Sequence, residues 1–306
     1  MNKQLYLQAE QKLFDYYKIS PASQEIGIPN IDATVRVLEC GQGEPIIFVA
    51  GDTSSGSTFA SLVALLPDFR CIMIDRPGTG LSSEPDYTKI PLKKFAAETI
   101  AGIVKQMNIT QPNIVGNSFG GYFTLAFAFH YPGLLSKIII EGMPGYVPGM
   151  KLGLFAKLMS LQWFNNMVLK NMKMNRKAVI DNFKRMGHQK SIEEGKIPDV
   201  LWDFGLQMAL HTDGFKNDWG KFPQWSSFSQ LNPGVEFTWE ELQQIKNPIC
   251  VLWGADDTFC KPDMLDNIKN KLHPKILNVF SNSGHLPYME NTEQHAEIIR
   301  QFIRTK

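Results

Sequence analysis

A serine stands at the apex of a glycine-flanked turn near the middle of the chain. Residues 116–121 read Gly-Asn-Ser-Phe-Gly-Gly, so Ser118 occupies a Gly-x-Ser-x-Gly pattern. Residues 113–115 before it are typical of a strand, and residues 122–130 after it are typical of a helix. On such a strand–turn–helix connection the hydroxyl projects from a tight turn, which neighbouring backbone can approach because the flanking residues are glycines. Glycine and serine are common, so partners elsewhere in the chain must support the pattern.

A serine hydroxyl becomes a nucleophile when a base removes its proton, and the usual base is a histidine oriented by a carboxylate. The candidate base is His285, because it follows the last predicted strand in a Ser-Gly-His loop that can reach the edge of a sheet. His130 is expected at a helix end. The remaining histidines are expected on helices or at their ends and are interpreted as surface residues: His188, His211, His273 and His295.

The candidate carboxylates also follow predicted strands. The sequence Gly-Ala-Asp-Asp at residues 254–257 comes directly after the penultimate strand, and either aspartate could orient the histidine. We choose Asp257, with Asp256 as its competitor. Glu141, at the end of the strand that follows the serine helix, is a third candidate. The resulting chain order is serine, aspartate, histidine.

Predicted strands and helices alternate along most of the chain. Apolar runs typical of buried parallel strands, and one looser alternating run at the start, lie at residues 33–38, 45–50, 71–75, 113–115, 137–141, 248–254 and 276–280. Segments with helical spacing of apolar residues lie at 1–17, 59–66, 92–107, 122–130 and 293–304. This order predicts an α/β fold with a mostly parallel, twisted sheet and helices on both of its faces.

The alternation breaks between residues 143 and 233, which are rich in Met, Phe, Trp, Leu and Lys. This stretch is interpreted as several helices inserted into the sheet domain. The predicted organisation is a first core part, a helical insertion and a second core part, at residues 1–142, 143–235 and 236–306. Most aromatic residues of the insertion are expected to pack its helices together, and a few to line an apolar pocket. The candidates for such a lining are Tyr146, Phe155, Trp163 and Trp202.

Composition limits the classes of partner. The chain has 306 residues, of which 43% are hydrophobic and 20% charged, enough for a large core. Its 31 basic and 30 acidic residues give no indication of a nucleic acid or an anionic membrane as partner. No stretch approaches the ~18 apolar residues of a membrane span, and no signal segment is recognised, so a cytoplasmic location is expected. Cys71 and Cys250 lie in strand-like runs and are expected to be buried thiols.

The chain resembles the α/β-hydrolase superfamily, in the branch with a helical cap. Four segments in family order carry the resemblance, each after a predicted strand: residues 49–52, residues 75–82, the serine turn, and residues 254–257 together with 284–285. The resemblance implies an α/β-hydrolase fold, a Ser118–His285–Asp257 triad and a cap at residues 143–235. It also implies an oxyanion hole formed by the backbone N–H groups of Phe119 and Asp52. Residues 75–82 are expected to shape a turn beneath the site, with no catalytic role.

The sequence departs from the family at Ala50, where relatives usually carry a histidine that supports the neighbouring loop.

The predicted function is hydrolysis of an ester or related acyl bond of a small, largely apolar substrate. Two alternatives stay open: a carbon–carbon bond hydrolase of the ring-cleavage-product type, whose serine turn is similar, and a ligand-sensing protein with little turnover. A serine nucleophile argues against haloalkane dehalogenase and epoxide hydrolase chemistry. No cofactor and no metal ion are predicted, since neither a dinucleotide fingerprint nor metal-ligand spacing is present.

Overall fold

The computed structural model describes residues 2–142, 144–150, 152–259 and 262–305. In this part of the chain, eight strands form one sheet in the order β1-β2-β4-β3-β5-β6-β7-β8. Their bounds are β1 Ala22–Ile28, β2 Ala33–Cys40, β3 Glu44–Val49, β4 Phe69–Ile74, β5 Asn113–Asn117, β6 Ile138–Glu141, β7 Ile249–Gly254 and β8 Ile276–Phe280. The predicted mostly parallel sheet is confirmed.

The register of the sheet brings several loops to one edge. All pairs from β4 across to β8 are parallel, whereas β2 pairs antiparallel with both β1 and β4. Asn117 at the end of β5 lies opposite Glu141 of β6, which in turn lies opposite Leu252 of β7, and Gly254 lies opposite Phe280 of β8. The loops after β5, β6, β7 and β8 therefore leave the sheet on the same side.

Helices cover both faces of the sheet. The α-helices are α1 Lys3–Tyr17, α2 Ala60–Val63, α3 Leu92–Gln106, α4 Phe119–His130, α5 Leu154–Met159, α6 Gln162–Asn171, α7 Arg176–Phe183, α8 Gln189–Glu193, α9 Asp199–His211, α10 Gly214–Asp218, α11 Trp239–Leu242, α12 Pro262–Leu272 and α13 Thr292–Arg304. One apolar core includes Phe95 of α3 and Phe127 of α4, and another includes Leu62 of α2 and Phe302 of α13. Each core is buried between one sheet face and its helices.

Short 3₁₀ helices occupy residues 29–31, 56–59, 132–134, 222–224 and 287–289, and residues 184–188 form a π-helical turn. The helix predicted at 59–66 is shorter than expected. Residue 59 belongs to a 3₁₀ turn, and residues 64–66 lie beyond the end of α2. Elements that were not predicted include β1, α11 and α12. Strand β1 is mostly exposed and lacks an apolar pattern, and α12 lies between two strands that the sequence analysis left directly connected.

The segment between β6 and β7 contains α5 to α11 and the π-helical turn, so helices are inserted into the sheet domain at the expected point. The exact bounds of the insertion, 143–235, stay a prediction, and residue 143 lies outside the described residues. Cys71 and Cys250 are buried in β4 and β7, as expected. Within the described part of the chain, no helix combines the length and apolar character that crossing a membrane requires.

The buried face of α1 includes a charged residue. Leu5 and Tyr16 are exposed, whereas Tyr6, Leu13 and Glu10 are buried. Glu10 is buried because its carboxylate forms two hydrogen bonds of 2.8 and 2.6 Å with the guanidinium of Arg36. The hydroxyl of Tyr6 also donates to this carboxylate, at 3.0 Å. A buried charge pair therefore fixes the first helix to the sheet.

Breaking this pair should destabilise the fold. We expect Glu10→Ala to lower the free energy of unfolding by about 3–5 kcal/mol, because it leaves the Arg36 guanidinium buried without its main partner. Urea denaturation followed by circular dichroism measures the change. Glu25→Ala, which removes an exposed acid of β1, is the control and should change stability by less than about 0.5 kcal/mol. A comparable loss in both variants would contradict the importance of the buried pair.

Candidate active site

The serine turn has the backbone strain expected of its sequence. Ser118 lies between β5 and α4 with φ 50° and ψ −121°, a conformation that residues with side chains rarely adopt. Glycines make the turn possible because neighbouring backbone approaches closely: a Cβ at Gly120 would overlap the carbonyl oxygen of Val49. Ser118 is partly exposed, whereas Asn117 and Phe119 on either side of it are buried.

His285 and Asp257 form a buried acid–imidazole pair. The loop after β7 carries Asp257, the loop after β8 carries His285, and Nδ1 lies 2.9 Å from Oδ2. The other carboxylate oxygen accepts a hydrogen bond from the N–H of Phe259, at 2.9 Å, which orients the carboxyl group. A proton held on Nδ1 by this contact leaves Nε2 as the basic nitrogen of the ring. Asp256, the competing aspartate, is exposed.

Contacts through the end of β6 bring the serine turn and the histidine loop together. The N–H of Ser118 donates to the carbonyl of Glu141 at 3.4 Å. The side-chain amide of Asn117 donates to the same carbonyl at 2.9 Å and reaches the carbonyl of His285 at 3.5 Å. Gly142 lies between the two loops, since a Cβ there would overlap the His285 carbonyl. Among the described residues, no hydrogen bond joins the serine hydroxyl to the imidazole, a contact that often tightens only when substrate binds.

Glu141 has a different partner. Its Oε2 lies 3.2 Å from Nε2 of His295, and both side chains are fully buried. The His295 ring stacks on Phe280 with a centroid distance of 4.0 Å. The surface interpretation of His295 was therefore wrong: as α13 packs against the sheet, this histidine faces inward. Because its carboxylate contacts His295 rather than His285, Glu141 is poorly placed to act as the triad acid.

His188 is also buried, which corrects its interpretation as a surface residue. Its Nδ1 lies 2.8 Å from Oε1 of Glu290, and its Nε2 accepts the N–H of Leu286 at 3.1 Å. Burial acts to raise the pKa of Glu290, but the hydrogen bonds from His188 and Ser283 lower it below its ordinary value. Next to His188, the carbonyl of Met186 accepts the N–H of His285 at 3.0 Å. The helical insertion thus holds the histidine loop directly.

The other histidines lie nearer the surface. His130 is the last residue of α4, as expected, and His211 is the last residue of α9. Both are partly exposed, and His273 is exposed. No sequence signal separated these residues from His188 and His295, because burial of a helical histidine depends on partners that are distant in the chain.

The backbone N–H groups of Phe119 and Asp52 are the expected oxyanion donors. Neither the N–H of Phe119 nor that of Asp52 donates a hydrogen bond to any residue in the described ranges. The loop containing Asp52 lies against the turn, since a Cβ at Gly51 would be 2.9 Å from Cβ of Ser118. Unpaired donors next to a serine hydroxyl could bind a developing negative charge.

The pKa of the Asp52 carboxyl is raised to about 7. Burial of the surrounding loop is the main cause, and the nearby charge of Asp218 adds to it, whereas Arg76 and His285 lower it. The side chain nevertheless keeps solvent access, so the desolvation is incomplete and its effect on stability is smaller than the full shift implies.

This carboxyl should make stability depend on pH. A group whose pKa is raised on folding contributes stability below its unfolded value of 3.8, and that contribution is lost as the pH rises through about 7. We therefore expect the stability of Asp52→Asn relative to wild type to increase between pH 4 and pH 8 in thermal unfolding. Asp52→Glu, which keeps a carboxyl, should retain the wild-type slope. Parallel pH profiles for Asp52→Asn and wild type would contradict the assignment.

Arg76 is a site residue that sequence reasoning missed. It follows β4 within the segment expected only to shape a turn, and its side chain is fully buried. The guanidinium donates to the carbonyls of Ala50 and Gly51, at 2.8 and 2.6 Å. The signal available in the sequence was the Asp-Arg-Pro-Gly run after a buried strand, but nothing in that run indicates which carbonyls the arginine binds.

Among the described residues, no group of three or more His, Cys, Asp and Glu could hold a metal ion.

Comparisons with known proteins agree with this fold. A family model described as alpha/beta hydrolase fold matches residues 44–292. A 2-hydroxy-6-oxononadienedioate/2-hydroxy-6-oxononatrienedioate hydrolase of Escherichia coli O139:H28 is 22% identical over 293 residues, covering 92% of this chain and 95% of that relative. Among solved structures, naproxen esterase (carboxylesterase NP) from Bacillus subtilis aligns with a TM-score of 0.75 at 18% identity, covering 98% of this chain and 97% of the esterase. A variant meta-cleavage product hydrolase from Pseudomonas fluorescens IP01 aligns with a TM-score of 0.70 at 17% identity, covering 92% and 97%.

Proposed function

Because this chain belongs to the alpha/beta hydrolase fold family, we propose that it is a serine hydrolase acting on an ester or related acyl bond. The observation that carries the proposal is the 2.9 Å contact between His285 and Asp257, in loops that leave the sheet beside the strained Ser118 turn. A histidine that a buried carboxylate orients is the base that a serine hydroxyl needs.

In the proposed reaction, Ser118 Oγ attacks the carbonyl carbon of the substrate while Nε2 of His285 accepts the hydroxyl proton. Asp257 keeps the imidazole in the required tautomer and stabilises the imidazolium. The imidazolium then returns the proton to the leaving alcohol, which departs and leaves an acyl-enzyme. Water activated by His285 attacks this ester, and release of the acid restores the serine.

The N–H groups of Phe119 and Asp52, which have no acceptor among the described residues, support the same chemistry. In the proposed reaction they donate to the carbonyl oxygen as it becomes negatively charged. Such donors act most strongly in the transition state, and losing one typically costs about 2.7–4 kcal/mol of activation free energy. Because these are backbone groups, the side chains of the two residues need no catalytic role.

Aromatic side chains beside the turn support a small, largely apolar substrate. The rings of Phe119 and Tyr146 are 5.5 Å apart, and the Tyr146 hydroxyl accepts a hydrogen bond of 3.0 Å from Trp225. Phe155 and Trp163, two other candidates for a pocket lining, are exposed, and Trp202 packs against Phe183. We propose that the insertion, residues 143–235, caps the site and presents Tyr146 to the substrate.

A panel of p-nitrophenyl esters with acyl chains of rising length tests the proposal. We expect measurable turnover of at least the short esters, and a maximum at one chain length that reports the size of the pocket. An absence of turnover across the panel would contradict the ester assignment.

Carbon–carbon bond hydrolysis is the second candidate. The Escherichia coli relative, named for a dienedioate substrate, supports it, because the alignment with that relative covers 92% of this chain. A dienedioate carries two carboxylates, however, whereas the side chains that support a substrate beside the turn, such as Phe119 and Tyr146, are aromatic. Offering dienoic diketo acids beside simple esters separates the two: we expect ester turnover to exceed turnover of the diketo acid.

A further inference from the structure

Arg76 contacts the loop that carries one of the two proposed oxyanion donors. Its Nε donates to the carbonyl of Ala50 at 2.8 Å, and its Nη2 donates to the carbonyl of Gly51 at 2.6 Å. The side chain is fully buried, so water does not compete for these bonds. A guanidinium suits this task because its donors have fixed directions in one plane.

These contacts determine where the donor points. In a planar trans peptide, the C=O and the N–H point in opposite directions. The carbonyl of Gly51 belongs to the same peptide as the N–H of Asp52. When Arg76 binds that carbonyl, the Asp52 N–H is directed away from the guanidinium, and in the described part of the chain it has no acceptor. Arg76 therefore holds the peptide in one orientation with its N–H available.

The same guanidinium lies against the other donor residue. Its central carbon is 4.8 Å from the ring centroid of Phe119 and 5.3 Å from that of Phe123. These distances fall within the range of cation–π contacts. Arg76 thus bridges the loop after β3 and the first turn of α4: it contacts the Phe119 ring and the peptide that carries the N–H of Asp52.

Asp218 of α10 completes the arrangement from the helical insertion. Its Oδ2 lies 2.9 Å from Nη2 of Arg76, and both side chains are almost fully buried. The same oxygen accepts the N–H of Thr53 at 2.6 Å, one residue beyond the donor. The neighbouring Asn217 donates to the carbonyl of Gly78 at 3.0 Å. The buried Arg76–Asp218 ion pair therefore joins the helical insertion to the loop after β3.

We propose that the Arg76–Asp218 ion pair positions the loop after β3, which carries the N–H of Asp52, for catalysis. The helical insertion, which contributes Asp218, must then be correctly docked for the site to be active. The inference rests on the proposed hydrolase function. Ala50 has no polar side chain to support the loop, and Arg76 instead holds the loop through the Ala50 carbonyl. Arg76 and Asp218 are positioning residues, because they act through the backbone and do not touch the reacting atoms.

The test is the double variant Arg76→Met/Asp218→Asn. It removes both buried charges together, which avoids leaving one of them uncompensated. The amide oxygen of the new asparagine can still accept from the N–H of Thr53. With a p-nitrophenyl ester, we expect kcat to fall about 100-fold, the scale of losing one oxyanion donor, while KM changes less than about threefold. The matched control is Arg70→Met/Glu39→Gln, which removes another two-contact ion pair that does not touch the loop. This control should keep the wild-type kcat.

Two further measurements test the same inference. Arg76→Lys retains the pair's charges but cannot reach both carbonyls in one plane, so we expect kcat to fall at least about tenfold. Hydrogen exchange of residues 50–55 should speed up in the double variant relative to the control, whether or not an ester is turned over. A kcat unchanged in both Arg76 variants, or an effect confined to KM, would overturn the inference, and so would unchanged exchange in the loop. Failure of wild type to hydrolyse any ester would instead count against the proposed function.

Discussion

Replacing Ser118 with alanine is expected to abolish ester turnover while the protein stays folded. In the proposed mechanism this hydroxyl forms the covalent bond to the substrate, and no other hydroxyl occupies the strained turn between β5 and α4. The expected loss in kcat is at least about 10⁴-fold, since removing a triad nucleophile leaves only binding and oxyanion stabilisation. Initial rates with a short p-nitrophenyl ester measure it, with circular dichroism to verify the fold.

The matched control is Ser229→Ala, which removes an exposed serine of the insertion. It should retain the wild-type rate. Alanine, like serine, has a Cβ, so the variant keeps the same backbone strain at the positive φ of residue 118. The stability of Ser118→Ala should therefore be nearly that of wild type. Residual activity above one tenth of wild type in Ser118→Ala would contradict the assignment of the nucleophile.

The second large effect is expected at Asp257. An asparagine there keeps the size of the side chain but removes the charge that stabilises the imidazolium, and its amide can favour the wrong tautomer of His285. We expect kcat of Asp257→Asn to fall by about 10⁴-fold, as for the same change in a serine-protease triad. The rate with a p-nitrophenyl ester measures this loss.

Two controls separate this aspartate from its competitors. Asp256→Asn changes the adjacent exposed residue, and Glu141→Gln changes the acid that contacts His295. We expect the first to keep nearly the full rate and the second to lose stability more than kcat, because it breaks a buried pair. A larger loss of kcat in either control than in Asp257→Asn would transfer the role of triad acid to that residue.

Much of the fold follows from local patterns in the sequence. Buried parallel strands such as β3 and β7 are continuous apolar runs, and the loops after such strands meet at one edge of the sheet. That rule, together with the family resemblance, predicts that the loops of Ser118, Asp257 and His285 lie at one edge. Strand β1 was missed because an exposed edge strand has no such pattern, and only its pairing with β2 makes it a strand.

The rest of the candidate site depends on contacts that no local pattern contains. Arg76 and Asp218 are 142 residues apart in the chain, and each is an ordinary charged residue in its own segment. The buried His188 and Glu290 are likewise distant, at 102 residues. Burial of a charged or titratable group becomes favourable only when its partner is present, so these pairs could be identified only from the folded structure.

The most direct measurement is covalent labelling with a fluorophosphonate, followed by mass spectrometry of the intact chain and of its peptides. The proposed mechanism predicts rapid addition of one label per chain, on the peptide that contains Ser118, and a strongly reduced rate in His285→Ala. Labelling of a different residue, or no faster labelling in wild type than in His285→Ala, would contradict it.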